Sequence, residues 1–394
     1  MTKTEKIEAL YDKYVMNTYK RVPLCLAKAK GSMVWDIDGK KYLDFFPGWA
    51  VSGIGHCHPR VVKAVAMQAK RLMHVSNNYY SEEQALLAKT IIDNSFDGKV
   101  FFANSGAEAN EAAIKIARKY GHDTGRFEII TMTKSFHGRT LAMITATGQD
   151  KVKKGFEPLP GGFVHIPFND LEAAIEAACD KTIAIMLEPV QCEGGINIAD
   201  KEYIDGLRKL CDKKDMLLIF DEVQTGMGRS GEMFAFKNYK VKPDIVTTAK
   251  SLGGGLPIGA CIAGTKVKDV LTPGTHASTF GGSPVVCAAA LAVFEAIKKE
   301  KLLNNTRKMS AYLVKKLKAL QAKYHFVKDV RNMGLIIGVE LDIKGEAIYK
   351  DCLQDGLLIN CTQDTILRIM PPITVSKSEI DKAVSILDKV LSRF

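Results

Sequence analysis

The chain has no pair of cysteines separated by two residues, no apolar run long enough to cross a bilayer, no internal repeat and no tail of one charge. Each absence removes a class of protein. The nine cysteines are scattered and odd in number, which argues against a disulfide framework or a zinc site and for reduced thiols. His56-Cys57-His58 is the one ligand-like cluster, and its place before Pro59 reads as a turn into a helix, with no metal expected. A bilayer span needs about 20 apolar residues, so no membrane contact is expected. Met1–Ala9 is rich in Lys and Glu and lacks the apolar core of a signal peptide, so a cytoplasmic location is expected. The formal net charge is +11, but the lysines are spread along helical faces, as at Lys298, Lys299 and Lys301. No aromatic residues interleave with them to stack bases, so a nucleic-acid partner is not expected. The same charge would favour anionic substrates.

A chain of 394 residues exceeds one ordinary core and suggests a large domain plus a smaller one. Apolar, strand-like segments occur at Val100–Ala103, Phe127–Thr131, Ile183–Leu187, Leu217–Phe220 and Ile245–Thr248. Between and after them Glu108–Tyr120, Glu202–Lys213 and Pro284–Lys299 have helical spacing. This alternation predicts an α/β fold with a mainly parallel sheet between helices, whose ligands bind at the carboxyl ends of strands. Beyond Lys299 a long helix (Leu302–Tyr324), short strands near Phe326–Val330, Gly334–Leu341 and Ile366–Met370, and a last helix (Lys377–Leu391) suggest a small α/β domain. Val34–Gly39 signals a hairpin turning at Asp38-Gly39. The expected division is residues 1–55 as an N-terminal segment packing with the small domain, 56–299 as the large domain and 300–394 as the small one.

Three strand ends carry polar residues that a fold alone does not require. Leu217–Phe220 runs into Asp221-Glu222, Ile245–Ala249 runs into Lys250, and Phe101–Asn104 runs into Ser105-Gly106-Ala107 where a helix opens. An acid, an amine and a helix N-terminus would then meet at one sheet edge. Each suits one part of pyridoxal 5′-phosphate (PLP). A carboxylate at Asp221 can keep the pyridine nitrogen protonated, and a desolvated Lys250 can form an imine. Backbone N–H groups of Gly106 and Ala107 can cradle the phosphate. Taken singly, Asp221 and Ser105 would read as helix caps and Lys250 as a surface lysine; the combination in this order does not.

The motifs resemble the class III (ω-) aminotransferases of PLP fold type I over nearly the whole chain. They are Gly55–Pro59, Asn104–Asn110, Ser135–Arg139, Leu187–Gln191, Asp221–Gly226, Ala249-Lys250, Ser278–Gly282, and Leu367-Arg368 before Pro371-Pro372. The resemblance implies a seven-stranded-type sheet in the large domain. It makes Lys250 the Schiff-base lysine and proton shuttle, with Asp221 at the pyridine nitrogen. Val223 would lie beneath the ring, Phe136 on its other face, and Gln224 at the ring hydroxyl. Ser105, Gly106 and Ala107 would hold the phosphate, joined by Thr279 from a partner subunit, so a homodimer with shared active sites is implied. Arg139 would bind a substrate carboxylate, as its planar fork allows. Arg368 and Glu188 would form a switch pair, the arginine receiving a carboxylate of glutamate or 2-oxoglutarate and Glu188 neutralising it otherwise. Ser278 would contact substrate near the subunit interface.

Within that family, softer motifs resemble the acetylornithine group: His74–Tyr80, Ala146–Gln149, Lys154–Leu159, Pro167–Asp170 and Gly356–Asn360. The expected reaction converts N2-acetyl-L-ornithine and 2-oxoglutarate to N-acetyl-L-glutamate 5-semialdehyde and L-glutamate, a step of arginine biosynthesis. Ornithine, succinyldiaminopimelate, succinylornithine and GABA are the alternative donors, and a same-fold aminomutase is the alternative reaction. Pro47-Gly48-Trp49, Cys192 and Ala277 depart from the group's pattern. Trp49 reads either as a wall for the acetyl arm or as core packing.

Overall fold

The computed structural model describes residues 2–394. After a helix (Lys3–Tyr14) come three strands: β1 (Leu26–Lys30), β2 (Met33–Asp36) and β3 (Lys41–Asp44), paired antiparallel in that order. The Asp36 carboxylate fixes the expected turn by accepting from the backbone N–H of Asp38 (3.0 Å) and Lys40 (2.9 Å).

Seven strands form the central sheet: β4 (Gly98–Ala103), β5 (Glu128–Met132), β6 (Phe163–Ile166), β7 (Thr182–Leu187), β10 (Leu217–Asp221), β11 (Ile245–Thr248) and β12 (Gly259–Gly264). Beyond β7, β8 (Val190–Gln191) and β9 (Asn197–Ile198) make a short hairpin. The sheet order is β4-β12-β11-β10-β7-β5-β6. Neighbours from β11 to β6 are parallel, and β12 alone runs against both its neighbours. The expected mainly parallel α/β fold is therefore what the chain adopts. Successive residues of one strand serve opposite cores: Leu217 and Ile219 pack with the helix Gly106–Tyr120, while Leu218 and Phe220 pack with the helix Lys201–Lys213. A sheet buried on both faces explains why these strands read as unbroken apolar runs.

The C-terminal strands are β13 (Val327–Met333), β14 (Ile336–Leu341), β15 (Leu357–Leu358), β16 (Asn360–Thr362) and β17 (Ile366–Ile369). Four of them form an antiparallel sheet in the order β13-β14-β17-β16. The fifth, β15, pairs in parallel with β3, which ties the N-terminal strands to the C-terminal part. Among the described residues no helix is long and apolar enough to cross a membrane.

β12 follows the glycine run and was not legible as a strand. Its small residues have a positional reason: a Cβ on Gly259 would meet the Ser105 carbonyl oxygen at 2.2 Å, and one on Gly98 of β4 the Ala263 carbonyl at 2.1 Å. The missing side chains let the sheet edge close against the turn that opens the Gly106–Tyr120 helix.

Candidate active site

Asp221 ends β10 and is buried. One carboxylate oxygen accepts from Asn110 Nδ2 (2.7 Å) and from His137 Nδ1 (2.8 Å), the tautomer a carboxylate partner selects. The other accepts from the Val223 N–H (3.0 Å). Asn110 is oriented in turn, because Thr247 Oγ1 donates to its Oδ1 (2.6 Å) and its Nδ2 also donates to the His137 carbonyl (2.8 Å). Three donors fix the orientation of this buried carboxylate. The helix-cap alternative for Asp221 does not apply.

Lys250 begins two residues after β11, the parallel neighbour of β10. Its φ is +45°, which an L-residue adopts at some cost and which here ends the strand sharply. Burial lowers the pKa of its amine, so the surface-lysine alternative fails as well. Ser105 does cap the Gly106–Tyr120 helix, its hydroxyl accepting from Glu108 N (3.2 Å). Glu108 folds back to accept from Asn104 N (2.6 Å) and Asn104 Nδ2 (2.9 Å). A Cβ on Gly106 would lie 2.7 Å and 2.9 Å from the two methyls of Val223, so this glycine lets Val223 pack against the helix start.

These elements enclose a cavity of about 500 Å³. Ser105, Gly106, Ala107, Phe136, Asp221, Val223, Gln224 and Lys250 all line it. Arg139 and Glu188 also border it, with the Arg139 guanidinium 5.3 Å from the Phe136 ring centre. An acid, an amine, an apolar side chain, an aromatic ring and a helix N-terminus around one cavity fit a flat pyridinium ring with a phosphate arm. Asp221 could hold the ring nitrogen and the Ser105–Ala107 turn the phosphate.

One expected pairing is corrected. Arg368 does not pair with Glu188. Its guanidinium meets Glu193 (2.7 Å and 3.4 Å), Asn360 Oδ1 (2.8 Å) and the Cys192 carbonyl (3.0 Å). The reason is topological: Glu193 sits in the β8–β9 loop that reaches β17, whereas Glu188 stays at the end of β7 and accepts from the Phe136 N–H (2.9 Å). Burial and the nearby Asp221 charge hold the Glu188 carboxyl well above its usual pKa. Ser278, expected as a substrate contact near the interface, does not line this chain's own cavity. Its hydroxyl accepts from Gly281 N (3.0 Å) in the same loop and from Asn104 Nδ2 (3.2 Å) just after β4. That loop turns Thr279 outward, away from this chain's own cavity.

Asn110, His137, Thr247, Glu193 and Asn360 belong to this arrangement without having been assigned a part in it. Asn110 left a signal: a polar residue one turn after Gly106 on an otherwise alanine-rich face. Glu193 left none, since only the hairpin brings it to Arg368. Cys192, one of the departures, packs in a small apolar cluster with Ala50, Val190, Ile196, Ile336 and Met370. Burial, with Glu188 nearby, pushes its thiol up to about 12, so it is protonated and inert. His56 contacts Asp44 (2.8 Å) and His58 caps the helix Pro59–Arg71, as a turn requires.

Residues 14–391 match the class-III aminotransferase family. The chain belongs to that family. This aminotransferase is 52% identical over 390 residues to the acetylornithine aminotransferase of Methanocaldococcus jannaschii, covering 97% of each chain. It is 51% identical over 384 residues to that of Caldanaerobacter subterraneus, covering 96% of this chain and 98% of the relative. Among solved structures, ornithine aminotransferase from Toxoplasma gondii superposes with a TM-score of 0.96 at 33% identity, covering 100% of this chain and 96% of that one. N-acetylornithine aminotransferase from Stenotrophomonas maltophilia gives a TM-score of 0.84 at 34% identity, covering 98% of each. A Toxoplasma gondii ornithine aminotransferase structure is described with PLP at its active site. The aminotransferase is PLP-dependent and acts on amino-acid and 2-oxo-acid substrates.

Proposed function

We propose that this aminotransferase moves the δ-amine of N2-acetyl-L-ornithine to 2-oxoglutarate, yielding N-acetyl-L-glutamate 5-semialdehyde and L-glutamate within arginine biosynthesis. The observation that carries the donor is the full-length identity of about half to relatives named acetylornithine aminotransferase. The ornithine aminotransferases that superpose so well share only a third of their residues with it.

When bound, PLP supplies an electron sink for charge developing on the substrate carbon. The chain's own residues do the rest. Asp221, fixed by Asn110 and His137, keeps the ring nitrogen protonated. Phe136 and Val223 hold the ring flat. Lys250 is half-buried, desolvation lowers the pKa of its amine, and its place in the cavity suits it to take the proton from the substrate δ-carbon. Arg139 binds the α-carboxylate of the donor, which leaves the far amine to reach the ring. Arg368 receives a carboxylate of 2-oxoglutarate once Glu193 withdraws; with the long donor, Glu193 stays on the arginine and cancels its charge.

A homodimer completes the site by bringing Thr279 to the partner's phosphate. Support comes from the surface around it. Phe280 is 61% exposed and lies 5.0 Å from His74, in a segment that also exposes Met73, Tyr79 and Tyr80. Asn77 binds the two segments together through the carbonyls of Ser278 (2.9 Å) and Gly281 (3.0 Å). Exposed apolar side chains on two joined segments suit an interface. We assign the enzyme to the cytoplasm, which nine free cysteines support.

A panel of amino donors with 2-oxoglutarate, followed by glutamate formation, tests the reaction. Acetylornithine should exceed ornithine, GABA and the succinylated donors in kcat/KM. Ornithine or a succinylated donor turning over as well would overturn the donor assignment. Turnover without any 2-oxo acid would point to an aminomutase instead.

A further inference from the structure

Arg368 is 1% exposed, yet the reading above needs it to exchange Glu193 for a substrate carboxylate. Hydrogen bonds account for its edge: Glu193, Asn360 and the Cys192 carbonyl surround it in the guanidinium plane. Two rings lie against it. The Arg368 Cζ lies 4.5 Å from the Phe46 ring centre and 5.1 Å from that of Trp49. The two rings are themselves 5.3 Å apart and close to edge-on, at 68°. Three nearly equal separations exclude a sandwich with the guanidinium between opposed rings; the two rings form a corner against it.

The corner is held by the active site itself. Phe46 follows Phe45, whose carbonyl accepts from Met370 N (2.7 Å), two residues past Arg368. The Trp49 carbonyl accepts from Gln224 Nε2 (3.3 Å), and the Ala50 carbonyl from Ser251 Oγ (2.6 Å), next to Lys250. Trp49 and Ala50 both have positive φ, +60° and +64°, a conformation that costs an L-residue about 1–2 kcal/mol. Such strain persists only where surrounding contacts over-determine it. The tryptophan is nevertheless 50% exposed, so core packing does not explain it.

We propose that Trp49, with Phe46 behind it, is the positioning residue for Arg368 and sets the enzyme's affinity for its 2-oxo-acid acceptor. While Glu193 is paired, the rings keep the guanidinium plane facing the β8–β9 loop. When Glu193 gives way, the ring faces stabilise the exposed cation until a carboxylate arrives. The donor half-reaction leaves the Arg368–Glu193 pair intact and does not draw on the corner.

This rests on the assignment of Arg368 to the acceptor carboxylate, so the test carries Arg368→Lys as its reference. Trp49→Leu, Trp49→Met and Trp49→Phe holoenzymes are compared in separate half-reactions, each read from the cofactor's absorbance. Cofactor content and melting temperature verify folding, and Trp49→Met preserves bulk without a π face should Trp49→Leu lose cofactor. Losing one partly desolvated cation–π contact should raise the half-saturating 2-oxoglutarate concentration about tenfold in Leu and Met, about 1.4 kcal/mol. The donor half-reaction should keep its saturation, and Trp49→Phe should recover most of the loss. If Arg368→Lys leaves 2-oxoglutarate saturation unchanged, the Arg368 assignment itself fails. If Arg368→Lys weakens it but Leu and Met do not, the corner has no such role. Equal loss in both half-reactions, or loss confined to the donor as a wall for its acetyl arm would give, also overturns the proposal.

Discussion

Gly106→Ala separates cofactor binding from folding. The new Cβ would stand 2.7 Å and 2.9 Å from the Val223 methyls, where ordinary contact begins at 3.4 Å. Val223 must therefore retreat by about 0.7 Å or turn off its rotamer, and overpacking of this size costs about 1–3 kcal/mol. Val223 also lines the cavity, so the displacement is delivered to the ring bound there. The backbone at this position has no positive φ, and alanine suits a helix better than glycine. The apoenzyme should melt at or slightly below the wild-type temperature, because the helix gain of about 1 kcal/mol offsets only part of that cost, while PLP binds roughly 5- to 150-fold more weakly. Titrating resolved apoenzyme with PLP gives the dissociation constant. Adding Val223→Ala removes both offending methyls, so the double variant should bind PLP better than Gly106→Ala alone. Wild-type affinity in Gly106→Ala, or no recovery in the double variant, would refute the argument.

Lys250→Met should stabilise the apoenzyme near neutral pH. The folded pKa of Lys250 lies below its ordinary 10.5, so between the two values the unfolded chain holds the extra proton and stability rises with pH. The gain from Met should therefore shrink as pH climbs toward 10.5, as melting temperatures across pH would record. Glu193→Gln leaves Arg368 without its counter-charge; KM for 2-oxoglutarate should fall and glutamate should become a better donor, whereas Glu188→Gln should not reproduce that shift. Mixing Lys250→Ala subunits with Thr279→Asp subunits should restore activity if Thr279 serves the partner's site, because one site per mixed dimer is then complete.

Much of this was legible in the sequence, for identifiable reasons. Strands buried on both faces write themselves as apolar runs, so β7, β10 and β11 and the residues ending them could be read directly. Asp221, Lys250 and the Ser105 turn followed from those ends. β12 was hidden because closeness to β4 and Ser105 demands glycine and alanine, which carry no strand signal. The partner of Arg368 was misread for a related reason. Two glutamates lie five residues apart, and only the β8–β9 hairpin decides which one meets β17. The support behind Asp221 was out of reach too, since Asn110, His137 and Thr247 come from three distant stretches joined by the parallel register.

The central claim is that Lys250 binds the cofactor covalently. Reducing the holoenzyme with borohydride and mapping its peptides by mass tests this most directly. The account predicts one phosphopyridoxyl group per chain, on the peptide containing Lys250. The same mass on another lysine, or none on any, would contradict it.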